Sequence, residues 1–176
     1  MELFVVPQHQ ACGIDPLGEG WAKAAMIRIT TDPAFAPLQF EKNFQAILQL
    51  RFADWEDGDR EKMDPSQIAF FEARGLILEP ISLEQAKHIV NFVEDISQRG
   101  FSHLVVHCQA GFSRSPAVAI AIAEHLQLID ELRKLQALAS RGVFAPNQTV
   151  LRRIREVTGA HTRKQEELEQ TFKEAP

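Results

Sequence analysis

Residues 103–123 read His103-Leu104-Val105-Val106-His107-Cys108-Gln109-Ala110-Gly111-Phe112-Ser113-Arg114-Ser115-Pro116-Ala117-Val118-Ala119-Ile120-Ala121-Ile122-Ala123. Positions 103–107 form a compact apolar run without alternation, the pattern of a strand in the middle of a covered parallel sheet. From Ser115 onward, proline near the start and apolar residues on every side predict a buried helix. The loop between them is tight and is centred on Gly111. An apolar strand feeding a buried helix through a short loop is an α/β building step, and in such sheets the site lies at the carboxyl ends of the strands. Cys108 stands there.

Outward from this unit, Ser82 with Gln85 makes a capping box, and Leu83, Ala86, Ile89, Val90, Val93 and Ile96 recur at helical spacing until Gly100. Asp64-Pro65 sets an N-cap and first helical position for a helix reaching about Arg74. Apolar and polar residues alternate from Leu48 to Phe52, a half-buried strand that runs into the acidic loop Ala53–Asp59. Ala25–Thr30 and Leu3–Val6 read as two more strands, with loop across Gln8–Gly20. Two further helices are expected over 130–140 and 147–157. The expectation is an α/β three-layer sandwich, a mostly parallel central sheet flanked by helices. One domain over 1–160 and a charged tail over 161–176 complete it.

A chain of 176 residues, 45% hydrophobic and 24% charged, fits one well-filled domain. A net charge of −5 argues against a sequence-blind nucleic-acid binder. No apolar run approaches the roughly 20 residues that span a bilayer. Glu2 and Pro7 interrupt what a secretory signal would need. The two cysteines, Cys12 and Cys108, fit a reducing cytosol better than a disulfide scaffold. A cytoplasmic protein with neither membrane nor nucleic-acid partner is expected.

In the loop, backbone N–H groups pointing into one concavity and the N-terminus of the following helix make an oxyanion site. The same positive field favours the thiolate of Cys108. Arg114, six positions on, supplies a planar fork that matches two phosphate oxygens. A thiolate beneath a bound tetrahedral dianion is placed to attack phosphorus. Phosphate, sulfate or vanadate should occupy the loop, with Gln109, Ala110, Gly111, Phe112 and Ser113 around the substrate.

His107–Ser115 resembles the signature of the cysteine-dependent protein tyrosine phosphatases, nearest the compact dual-specificity and bacterial tyrosine-phosphatase-like branch. The resemblance is tight over Leu104–Ala123 and looser over Leu48–Asp54, and Ala145-Pro146-Asn147 is similar to the Pro-Asn pair of small dual-specificity enzymes. It implies Cys108 as nucleophile, Arg114 as phosphate clamp and Ser115 as the hydroxyl that steadies the thiolate as leaving group. It further implies His107 as a hydrogen-bonder orienting the loop, a structural role.

The family's general acid is an aspartate on a loop after a preceding strand. Asp54 fits best, following the strand that ends at Phe52, with Trp55 beside it to line the pocket mouth. Asp57, Asp59 and Asp64 are the other candidates. The 54 positions between Asp54 and Cys108 exceed what small relatives usually show, and Asp57–Pro80 is read as an insertion. The implied activity is phosphomonoester hydrolysis through a phosphocysteine, without metal or cofactor, on a phosphorylated protein or a small phosphomonoester, with phosphotyrosine favoured. Phosphoinositide and inositol-phosphate relatives tend to carry lysines in the loop, where this chain has Gln109, Ala110, Phe112 and Ser113. A non-catalytic phosphate-binding module and a rhodanese-type sulfurtransferase are the competing classes.

Of the weaker signals, His9 and Cys12 have metal-like spacing but lack a second ligand pair. Cys12 could serve Cys108 as a resolving thiol, a plain free thiol being the simpler account. Asn147 and Gln148 either contact the phosphate loop or cap the last helix. Arg133, Lys134, Arg141, Arg152, Arg153 and Arg155 are read as a solvated face. His88, His103, His125 and His161 have no partner in the sequence and are given no role.

Overall fold

A computed structural model describes residues 1–159. The tail expected over 161–176 lies outside them. Four strands, β1 (Glu2–Pro7), β2 (Ala24–Thr30), β3 (Ala46–Arg51) and β4 (His103–Cys108), form one sheet in the order β1-β4-β2-β3. Every pairing is parallel. β4 is therefore central, and its residues 104–108 are all buried, which is why its sequence shows no alternation.

The helices are α1 (Gln8–Ala11), α2 (Pro65–Glu72), α3 (Leu83–Gln98), α4 (Arg114–His125), α5 (Ile129–Ser140) and α6 (Gln148–Thr158). Residues from α3, α4, α5 and α6 pack with Ile27, Ile29, Leu104, Val106 and Cys108 in the main core. On the opposite face, Met26 and Val105 meet Ala11, Leu38 and Phe44, so α1 and long connecting segments form that layer. The α/β class and the parallel sheet agree with expectation. The single turn of α1 lay within a segment read as loop, because four residues are too few for a periodic signal.

Helix starts follow their chemistry. Asp64 accepts the Ser66 amide at 2.8 Å, with Pro65 at the first helical position. Ser82 and Gln85 form the reciprocal capping box of α3. Asn147 caps α6 through the Val150 amide at 2.9 Å. No helix among the described residues is long and apolar enough to cross a membrane.

Candidate active site

Parallel β4 drives Cys108 to the carboxyl edge of the sheet, and the chain must turn at once to enter α4. The turn is made at Gly111, whose φ of 69° lies in the left-handed region. A Cβ there would sit 2.6 Å from the Pro7 nitrogen and 2.8 Å from the Val6 carbonyl carbon, both main-chain atoms of β1. The carbonyls of Gln109, Phe112 and Ser113 face outward and accept the amides of Gln8, Ala145 and Asn147 at 3.2, 3.0 and 3.3 Å. With these three carbonyls held outside, the Gly111 and Ser115 amides turn toward the thiol, as in a nest.

Cys108 is 1% exposed and accepts the Ser115 hydroxyl at 3.2 Å. Burial pushes the thiol pKa up. The Ser115 hydroxyl and amide, the Arg114 charge and the Gly111 amide together outweigh that burial, so it ends below its ordinary value. Arg114 is also buried; Nη1 donates to the Phe52 carbonyl at 2.9 Å, which pins the guanidinium by one corner. Its Nε has no hydrogen bond among the described residues and lies 3.9 Å from Asp54 Oδ2.

Cys108, Gln109, Ala110 and Arg114 share a cavity of about 290 Å³ with Asp54 and Trp55. Its apolar wall is Phe71, Leu76, Ile77 and Leu78. These four come from the segment read as an insertion, which folds back beside the sheet: Ile77 N–H donates to the Thr31 carbonyl at 2.9 Å and Ala53 N–H to the Glu79 carbonyl at 2.7 Å. The apolar triplet Leu76-Ile77-Leu78 after Gly75 was the available signal. Phe112 and Ser113 line a neighbouring cleft with Phe144, Pro146 and Asn147, and Asp54 is the wall between the two spaces.

Asp54 Oδ1 accepts Ser113 Oγ at 2.6 Å and Asn147 Nδ2 at 3.1 Å. The other three candidate carboxylates do not line the cavity. Asp57 pairs with Arg152 and Arg153, Asp59 with Lys62, and Asp64 caps α2. The Lys62 ammonium first, and then the Glu56 backbone N–H, hold the Asp59 carboxyl below its usual range.

His107 differs from the expected hydrogen-bonder. It is 2% exposed and neither ring nitrogen makes a hydrogen bond of normal geometry among the described residues. It is the cross-strand neighbour of buried Arg28. Burial, and then the Arg28 charge, push its pKa down to about 4 against a small lift from the Cys108 backbone, so the ring is a neutral packing element. Cys12 packs on the face of the sheet opposite the Cys108 core, and both thiols are free. Two histidines given no partner have one: His125 lies 2.8 Å from Glu94, and His103 stacks on Trp21 at 4.7 Å. Arg155 pairs with Glu124 at 2.6 Å and Arg152 with Glu156 at 2.8 Å.

No family model and no curated protein matches this sequence. Solved structures do. Human DUSP28 aligns over 92% of this chain and 94% of its own, at 17% identity and a TM-score of 0.58. A mouse dual specificity phosphatase complexed with zinc tungstate aligns over 92% and 85%, at 19% identity and a TM-score of 0.58. The fold is that of the dual-specificity phosphatases. PTPMT1 in complex with PI(5)P shares it over 93% of this chain and 94% of its own, at 17% identity and a TM-score of 0.52.

Proposed function

We propose that the chain is a phosphomonoester hydrolase, a protein tyrosine or dual-specificity phosphatase working through a phosphocysteine on Cys108. The observation that carries this reading is the buried thiol at the floor of a cavity, hydrogen-bonded by Ser115, with Arg114 and Asp54 on the walls. The loop amides and the free edge of the Arg114 guanidinium bind the non-bridging oxygens. The Cys108 thiolate attacks phosphorus, and an S–P bond forms as the P–O bond to the leaving group breaks. Asp54 passes its proton to the departing oxygen. As a carboxylate it then takes a proton from water, which attacks the phosphocysteine and releases phosphate. Ser115 stabilises the thiolate as it departs.

The apolar wall of Phe71, Leu76, Ile77 and Leu78 favours an aromatic leaving group, and phosphotyrosine is the substrate this reading assigns. Among the described residues lining the cavity, Arg114 is the one cation, which speaks against a polyanionic inositol phosphate. The catalytic domain spans 1–160, and the cytoplasm, where a thiol stays reduced, is its compartment. The test is vanadate-sensitive phosphate release from phosphotyrosine and phosphoserine peptides and from a phosphoinositide. Cys108→Ser should abolish release and keep oxyanion binding. Binding without release by the wild-type chain would make it a phosphate-binding module instead.

A further inference from the structure

We propose that Glu56 and Thr149 form a clamp that positions the general acid; the proposal rests on Asp54 being that acid. The acid loop and the first turn of α6 are joined residue by residue across more than ninety positions of sequence. Glu56 Oε1 accepts the Gln148 amide at 2.8 Å. Its Oε2 accepts both the Thr149 amide and the Thr149 hydroxyl, each at 2.7 Å. The Thr149 oxygen in turn accepts the Asp57 amide at 3.1 Å. Thr149 is buried.

The carboxylate thus occupies the end of α6 where unpaired amides and the helix dipole favour negative charge. Charge-assisted bonds of this kind are the strong class, and here two such amide bonds close on one side chain. The consequence for Asp54 is geometric. Asn147, the N-cap of the same helix, donates Nδ2 to Asp54 Oδ1 at 3.1 Å and to the Trp55 carbonyl at 3.4 Å. Asn147 can reach both acceptors only while the first turn of α6 stays against residues 54–57. Glu56 holds it there, so the aspartate is fixed over the cavity in advance of substrate. Glu56 is not among the residues that line the cavity of the thiol; it lines the neighbouring cleft and is a positioning residue.

The experiment compares kcat and KM for aryl phosphates of graded leaving-group basicity, with thermal unfolding as the check on folding. The variants are E56Q, E56A, T149V, T149S and D54N. E56Q retains one acceptor but presents an N–H₂ to a backbone donor, and T149S retains the hydroxyl that T149V removes. With the most basic leaving group, E56A and T149V should lose about 10- to 100-fold in kcat. With the least basic the loss should be within about twofold, KM should barely move, and T149S should restore the rate.

An equal loss across the whole series would mean a structural role only and overturns the clamp. A leaving-group-dependent D54N beside flat E56Q and T149V overturns the clamp alone. A flat D54N series overturns the acid assignment itself. Should E56A fail to fold, T149V and E56Q decide between these outcomes.

Discussion

Replacing Gly111 with alanine tests the loop geometry through two separable effects. The first is conformational: at a φ of 69° an L-residue with a Cβ is strained by about 1–2 kcal/mol. The second is steric: the new Cβ would lie 2.6 Å from the Pro7 nitrogen and 2.8 Å from the Val6 carbonyl carbon. Neither neighbour is a side chain that can rotate away. Relief requires the loop or the end of β1 to move by most of an ångström, an overpacking cost of about 1–3 kcal/mol. The expected total is about 3 kcal/mol, a fall in Tm of roughly 6–12 °C for a chain of this size.

Gly142 supplies the control. Its φ is 74°, and an added Cβ meets nothing within 4 Å. Gly142→Ala should therefore show the conformational part alone, about 1–2 kcal/mol, and leave turnover unchanged. Denaturant unfolding of the two variants, with kcat on an aryl phosphate and vanadate affinity measured in parallel, isolates the contact with β1. Gly111→Ala should lose about 100-fold in turnover as the amides leave their aim. If its stability and turnover match those of Gly142→Ala, the close approach to β1 does not shape the oxyanion site.

Ser115→Ala should move the acidic limb of the kcat/KM pH profile toward higher pH, because the hydroxyl that helps hold the Cys108 thiol below its ordinary value is gone; an unmoved limb would show that the loop amides and Arg114 suffice. His107, whose ordinary value is 6.5 and whose folded value is about 4, predicts acid sensitivity. Between those values the unfolded chain binds a proton that the folded chain refuses, so stability is full above the window and falls through it by up to about 1.4 kcal/mol per pH unit. His107→Phe should flatten that slope in denaturant titrations. Leu76→Ala should raise KM about threefold or more for a bulky aryl phosphate while sparing a small alkyl one, since it strips the apolar wall without touching the chemistry; equal effects on both would remove Leu76 from substrate recognition.

Residues 103–123 carry their own instructions. The apolar run, the left-handed turn at Gly111 and the all-apolar helix are each set by neighbours close along the chain, so strand, loop and helix were legible before any coordinates. So were the caps at Asp64 and Ser82, because a cap is a contact over two or three residues. The sequence reading could place Cys108 and Arg114 on one loop for the same reason. For Asn147 the sequence left cap and loop contact open, and it caps α6 while also donating to Asp54.

Asp54 is a different matter. Its partners, Ser113 and Asn147, stand 59 and 93 positions away; the parallel sheet brings the loops after β3 and β4 to one edge, and the packing of α6 brings Asn147 to them. Phe71, Leu76, Ile77 and Leu78 looked like part of a detour, and became a pocket wall when the backbone of that segment found Thr31 and Ala53. His107 sits in a motif position that suggested a polar task, yet it lies beside Arg28 among buried residues, where neither ring nitrogen makes a hydrogen bond of normal geometry among the described residues. Local chemistry settled the unit that carries the thiol. Which distant groups surround it was decided by the closing of the sheet and its helices, since contacts across long loops follow from the packing of the whole chain and leave no period in the sequence.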